Sequence, residues 1–174
     1  MRDRLLDALE STRYRRFLVY VMGPYKAHDS ENEEAFAFLE RVRDGLRTEG
    51  FNAFLATDAD IPLDELDAGT QSLAFARASN AVIFVVRHDG KNLGVGIETG
   101  AVLEDMSDRA RERVLFLHES GVRSAMIAAV ADRWDATVRT FETEDDLFDE
   151  ARLFIRDVMR RETTDELPFP PESS

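Results

Sequence analysis

The sequence predicts an α/β protein whose parallel sheet is covered by helices on both faces. Apolar runs of strand length alternate with helical periodicity along the chain. One run, Ala81-Val82-Ile83-Phe84-Val85-Val86, is apolar without interruption, as in a strand buried on both faces. It is followed by Asn92-Leu93-Gly94-Val95-Gly96-Ile97-Glu98-Thr99-Gly100-Ala101, where a strand hands over to a helix. Right-handed crossovers are expected between successive parallel strands.

The elements follow in order. Arg2 to Ser11 reads as a short amphipathic helix with Leu5, Leu6 and Leu9 on one side. Arg13, Arg15 and Arg16 precede a first strand from Phe17 to Met22, which Gly23-Pro24 ends. The loop Tyr25 to Glu31 carries Lys26, His28 and Ser30. A helix from Asn32 to Thr48 shows an apolar stripe of Phe36, Leu39, Val42 and Leu46, with Gly50 as its stop. Phe51 to Ala56 is the second strand, and Thr57 to Pro62 an acidic connection. Leu63 to Ala78 reads as a helix weakened in its middle by Asp67-Ala68-Gly69-Thr70. After the third strand, Ala81 to Val86, a helix from Ile97 runs to Asp108. Val114 to Leu117, a short helix from Ser124 to Ala131, Thr137 to Phe141 and a helix from Glu144 to Arg161 complete the pattern. One domain over 1–161 is expected, with 1–12 as its N-terminal helix. Residues 162–174, with Pro168, Pro170 and Pro171, read as a flexible or partner-contacting tail.

Composition narrows the function. Thirty-five Asp and Glu against 22 Lys and Arg give a formal net charge of −13, and Lys26 and Lys91 are the only lysines. Such a surface suits a salt-rich cytosol, where screening tames self-repulsion, so a halophilic origin is inferred. No basic stripe is visible, which argues against a nucleic-acid polymer as partner. The absence of cysteine excludes disulfides and thiolate chemistry. No run approaches a membrane span and no apolar signal segment opens the chain, so no membrane partner and a cytoplasmic location are expected.

The chemistry concentrates at the handover after the third strand. Ligands of open α/β sheets bind at the carboxyl ends of the strands. Gly94 and Gly96 remove side chains that would block approach to the backbone. Glu98, in the first helical turn, faces unpaired N–H groups and the positive end of the helix dipole, which keeps it ionised. An ionised carboxylate beside a bare surface suits nucleophilic attack on a sugar carbon. Spacing alone favours the plainer reading, a turn at the glycines and a glutamate that complements a helix terminus.

A second motif, Tyr20-Val21-Met22-Gly23-Pro24-Tyr25, ends the first strand. With Gly94 to Gly100 it resembles the nucleoside 2-deoxyribosyltransferase-like superfamily, which carries a Tyr-x-x-Gly loop and a Gly-x-x-x-Glu-x-Gly helix start. A third stretch, Ser120-Gly121-Val122-Arg123-Ser124-Ala125-Met126-Ile127, is more similar to the 2'-deoxynucleoside 5'-monophosphate N-glycosidase branch. The resemblance runs from about Phe17 to about Phe141. It implies a flavodoxin-like three-layer sandwich with a five-stranded parallel sheet of order 2-1-3-4-5. It also implies a small-molecule nucleotide or nucleoside substrate, a homodimer, and no cofactor or metal.

The resemblance assigns roles by position. Glu98 stands at the nucleophile, and Tyr20 at the tyrosine that orients it, although a strand tyrosine is also ordinary core. Gly23 and Pro24 stand where the ligand approaches the first loop. Lys26 and His28 are placed to contact a phosphate or to be plain loop charges. Ser124 matches a serine that reaches a 5'-phosphate across a dimer interface, and Ser is also a good helix N-cap. Asn92 replaces another phosphate-binding serine, and its amide can still donate. The main departure is Ser72, near the position of an aspartate that cooperates with the glutamate. A serine is no carboxylic acid. Either Asp67, about one helical turn earlier, substitutes, or leaving-group protonation is lost, or the protein binds without cutting. Asn80, where many members carry Asp, is a milder change. Hydrolysis of a nucleotide N-glycosidic bond is therefore the leading expectation. A nucleotide-sensing module and a deoxyribosyltransferase are the alternatives.

Overall fold

The computed structural model describes residues 1–23, 33–58, 67–88, 100–122 and 125–171. A short helix α1 (Arg2–Ala8) leads into β1 (Tyr14–Met22), α2 (Glu33–Thr48) and β2 (Phe51–Phe54). Then come α3 (Ala68–Ala78), β3 (Ala81–Val86) and a helical stretch α4 at 100–105. The chain continues through α5 (Asp108–Arg111), β4 (Val114–Glu119), α6 (Ala125–Trp134), β5 (Thr137–Phe141) and α7 (Glu144–Thr163). The five strands are all parallel and stand in the order β2-β1-β3-β4-β5, as the resemblance implies.

Strand alternation divides the core into two. Leu18, Tyr20, Val82, Phe84, Val114 and Phe116 pack with residues of α1, α3 and α4 on one face. Val19, Val21, Ile83, Val85, Leu115 and Leu117 pack with α2 and α7 on the other. A bidentate pair from Arg152 to Glu49, at 2.6 and 2.7 Å, joins α7 to the end of α2. Gly50 follows α2 at φ +96°, a left-handed conformation that glycine adopts without strain. Its carbonyl accepts from Tyr14 N at 2.8 Å and so starts the β1–β2 pairing.

Several boundaries differ from the sequence reading, each for a local reason. Strand β1 starts at Tyr14, because Tyr14 pairs with Phe51 and stacks on its ring at 5.7 Å; of the arginines read as preceding the strand, Arg15 and Arg16 lie within it. Helix α4 stops at 105 and Ser107 caps α5, accepting from Ala110 N at 3.3 Å, where one continuous helix was expected. The segment Asp67 to Thr70 is a helix start: Asp67 is the N-cap of α3. Residues 59–66, which include the expected opening turn from Leu63, lie outside the described residues.

Within the stretch read as a flexible or partner-contacting tail, residues 162–171 pack against the chain itself. Glu162 is 3% and Leu167 1% exposed, and Leu167 belongs to the α2/α7 core. Leu167 N donates to Arg161 O at 3.0 Å, and the Arg113 guanidinium donates to Pro168 O. These backbone contacts satisfy the polar groups that the prolines leave without a helix or strand.

A buried polar cluster closes the amino-terminal edge of the sheet. Asn80 Oδ1 accepts from Leu18 N and from Arg2 Nη1, both at 2.9 Å, while its Nδ2 donates to Glu162 at 2.9 and 3.2 Å. Arg113 pairs with Glu162 and donates to Asn80 O. The position requires a group that both accepts and donates; an ionised aspartate could not donate to Glu162. Burial lowers the pKa of Arg2; Glu162 opposes that shift, and Arg16 and Arg113 add to it.

Candidate active site

Parallel pairing of β1 with β3 puts the change of strand order between these two strands, so the crevice rule points to their carboxyl ends. Tyr20 lies near that end of β1. Its ring stacks on Phe54 at 5.0 Å and meets Phe75 edge-on at 5.7 Å, while Phe54 and Phe75 pack edge-on at 5.7 Å. This aromatic trio spans β1, β2 and α3 and fixes the ring. The Tyr20 hydroxyl is then held 3.0 Å from Ser72 Oγ, and either oxygen can donate. Two residues singled out from the sequence, fifty-two apart in the chain, therefore meet.

Helix α3 is pinned for this contact by its first turn. The Asp67 carboxylate accepts from Thr70 N at 3.0 Å and from Thr70 Oγ1 at 2.7 Å. These bonds, the backbone one foremost, hold its pKa below the usual carboxylate range. A depressed folded-state pKa contributes stability above the unfolded value, and that stability is lost as pH falls through the folded one. A carboxylate so committed is poorly suited to carry a proton near neutral pH.

Gly23, just past β1, is confined by packing. A Cβ there would stand 2.7 Å from Leu39 Cδ2 and 3.0 Å from the carbonyl oxygen of Val85. Leu39 is itself fully packed in the core, and the carbonyl belongs to the central strand. Gly23→Ala is expected to cost about 1–3 kcal/mol through overpacking. A lower denaturant midpoint at unchanged slope is the reading that checks it.

The carboxyl ends of β3 and β4 carry groups that the sequence reading passed over. Glu119 Oε2 accepts from His88 N at 2.8 Å and tethers the start of the loop after β3. His118 Nε2 lies 3.1 Å from Thr140 Oγ1, joining β4 to β5. The signal available was position: both end a strand in Leu115-Phe116-Leu117-His118-Glu119. Glu98, Pro24, Lys26, His28, Asn92, Gly94, Gly96 and Ser124 lie outside the described residues, as does any distance from Glu98 to Tyr20.

The sequence model of a family described as a domain of unknown function (DUF7509) matches residues 2–33 and 27–170. The chain belongs to the DUF7509 family. No curated protein matches this DUF7509 chain. Among solved structures, the CMP N-glycosidase BcmB of Clostridium botulinum is similar at a TM-score of 0.53 and 10% identity, over 78% of this chain and 98% of that one. The 2-deoxyribosyltransferase of Bacillus psychrosaccharolyticus matches at 0.47 and 15% identity, over 75% and 89%. At such identity the first likeness shows the fold the DUF7509 chain shares, and the sheet order agrees with it. No described helix is long and apolar enough to cross a membrane.

Proposed function

We propose that this DUF7509 protein hydrolyses the N-glycosidic bond of a (deoxy)nucleoside 5'-monophosphate, with Glu98 as nucleophile. The observation that carries the reading is the Tyr20–Ser72 pair, a fixed hydroxyl at the carboxyl end of the strand beside the switch point. The glycosidase fold and the Gly94 to Gly100 motif support it. In this reading a Glu98 oxygen bonds to C1' as the C1'–N bond breaks and its electron pair leaves with the base. Water then hydrolyses the sugar ester, releasing the sugar phosphate and restoring the carboxylate. Lys26, His28, Asn92 and Ser124 hold the phosphate, Gly94 and Gly96 leave room for the ligand, and Tyr20 orients Glu98. Asp67 is assigned to capping and Ser72 to positioning Tyr20, so the departing base takes its proton from solvent.

Incubation with each common deoxynucleoside monophosphate in high salt, with free base followed by chromatography, tests this. Slow release is expected, with Asp67→Asn within about twofold of wild type because asparagine caps a helix as well as aspartate. Absence of release from every nucleotide would remove the hydrolase reading. The Tyr20–Ser72 contact also favours a second reading. Two hydroxyls where a carboxylic acid would serve suit a module that binds a nucleotide without cutting it.

If Ser124 serves a neighbour's phosphate, the protein is a dimer joined near α6. Sedimentation in high salt is expected to give twice the monomer mass, and a monomer would remove Ser124 from the site. The acidic, lysine-poor composition is the support for a halophilic source.

A further inference from the structure

Breaking a C1'–N bond sends its electron pair to the base. A neutral base accepts that pair readily only if a proton arrives with it, and a positioned acid that supplies the proton is worth about 10²–10⁴-fold. At the carboxyl edge of β1, the side chain that α3 offers to Tyr20 is an alcohol, Ser72, 3.0 Å from the phenol. Both keep their protons near neutral pH, since even a phenol titrates at about 10. The Phe54 and Phe75 rings lock the tyrosine in that contact. The pair can give a hydrogen bond to a leaving group, but it is mismatched for giving a proton.

The other acids and bases described around this edge are committed elsewhere. Asp67 caps α3 through Thr70, and those bonds favour its ionised form. Asp58, after β2, accepts from Leu55 N at 2.8 Å and pairs with Arg43 and Arg47 of α2. His118 lies on β4, two places from β1 in the sheet. Its Nδ1 is 3.2 Å from Glu119 O, which can only accept, and its Nε2 is 3.1 Å from Thr140 Oγ1. His88 is turned toward β4 as well. Its backbone N–H donates to Glu119, and a Cβ on Gly121 would stand 3.3 Å from its Cδ2. Among the described residues, the β1–α3 side of the crevice thus presents hydroxyls and aromatic rings rather than an acid matched to neutral pH.

We propose that the substrate is a nucleoside 5'-monophosphate whose base is cationic at the glycosidic nitrogen, as a pyridinium is. The inference rests on the hydrolase reading above and names the substrate class of that same site. A Glu98 oxygen bonds to C1' as the C1'–N bond breaks. The electron pair returns to the ring nitrogen and cancels its positive charge, so the base leaves neutral with no proton transferred. Water then adds its oxygen to C1', its proton passes to solvent, and the carboxylate is restored. Ser72 is the residue that selects this class, because it fills the place of a proton donor without being one. A cationic base also makes the nucleotide less negative, which a chain of net charge −13 repels less.

The test compares nicotinamide mononucleotide, whose base is a pyridinium, with AMP and GMP, following free base by chromatography in high salt. At neutral pH nicotinamide is expected to be released at least about a hundredfold faster than adenine or guanine, the factor that a missing acid withholds. Nicotinamide release should stay flat through neutral pH. Adenine release should fall about tenfold per pH unit, because its proton comes from solvent. Ser72→Asp is expected to raise the ratio of adenine to nicotinamide release at least about tenfold, a ratio in which any effect on the position of Tyr20 cancels. Glu98→Gln should lower nicotinamide release at least about a hundredfold, which ties it to the same nucleophile. Adenine release that reaches a plateau with pH, or that matches nicotinamide release, would overturn the proposal while leaving the hydrolase reading in place. An unchanged ratio in a Ser72→Asp protein that folds, judged by circular dichroism, would overturn it too. Release of base from none of the three nucleotides would remove the hydrolase reading itself, and this inference with it.

Discussion

On the proposed hydrolysis, Glu98→Gln is expected to reduce base release from a deoxynucleoside monophosphate about a thousandfold or more. Glutamine keeps the shape and most of the hydrogen bonding of the side chain but supplies no charged nucleophile. Removing a covalent nucleophile leaves positioning and electrostatic terms alone. The wild-type rate is itself expected to be modest. Ser72 stands 3.0 Å from the Tyr20 hydroxyl and cannot protonate a departing base, and Asp67 is held ionised by Thr70. General acid catalysis is typically worth about 10²–10⁴-fold, and in the proposed mechanism neither Ser72 nor Asp67 supplies that factor. Single-turnover assays of base and of sugar phosphate, with nucleotide affinity measured in parallel, distinguish the outcomes. If wild type and variant are equally inactive yet wild type binds a nucleotide with micromolar affinity, the sensing module replaces the enzyme.

The sheet was legible because its signal is local and repeated. Ala81 to Val86 is buried at every position, and each strand is separated from the next by a helix with an apolar stripe. Strand order came from the resemblance, since periodicity does not say which strands are neighbours. The Tyr20–Ser72 contact was half legible: both residues could be named, but their meeting depends on the Phe54 and Phe75 rings that set the tyrosine. The Asp67 cap was misjudged because Asp-Ala-Gly-Thr carries both a breaker and a start signal, and choosing between them requires knowing where the helix begins. The docked C-terminal segment was illegible for a different reason. Its anchors, Glu162 and Leu167, have partners at Asn80, Arg113 and in the α2/α7 core, distant in sequence and without periodicity.

That segment leads to the largest expected stability effect. Glu162→Ala should destabilise the protein by about 3–5 kcal/mol, because it breaks a buried ion pair and leaves the other charge uncompensated. Arg113, 4% exposed, would lose the carboxylate it pairs with, and Arg2, 5% exposed, the charge that opposes its desolvation. Asn80 Nδ2 would lose its acceptor as well. Ala also leaves a void between α7 and the start of β3. Glu162→Gln keeps the volume and an acceptor, so it should cost less than Ala while still stranding both guanidinium groups. Replacing both partners tests the argument more sharply. Arg113→Met/Glu162→Leu removes the desolvation penalty of the pair along with its attraction, so the double variant should be more stable than the sum of the single losses predicts. It will not recover fully, because Arg113 also donates to Asn80 O and Pro168 O, and those carbonyls would be left without that donor. Denaturant midpoints at constant slope give these free energies, with Arg113→Met and Glu162→Leu also measured singly. A loss below about 1 kcal/mol for Glu162→Ala, the range of exposed pairs, would mean that water reaches the cluster and that it contributes no more than a surface ion pair.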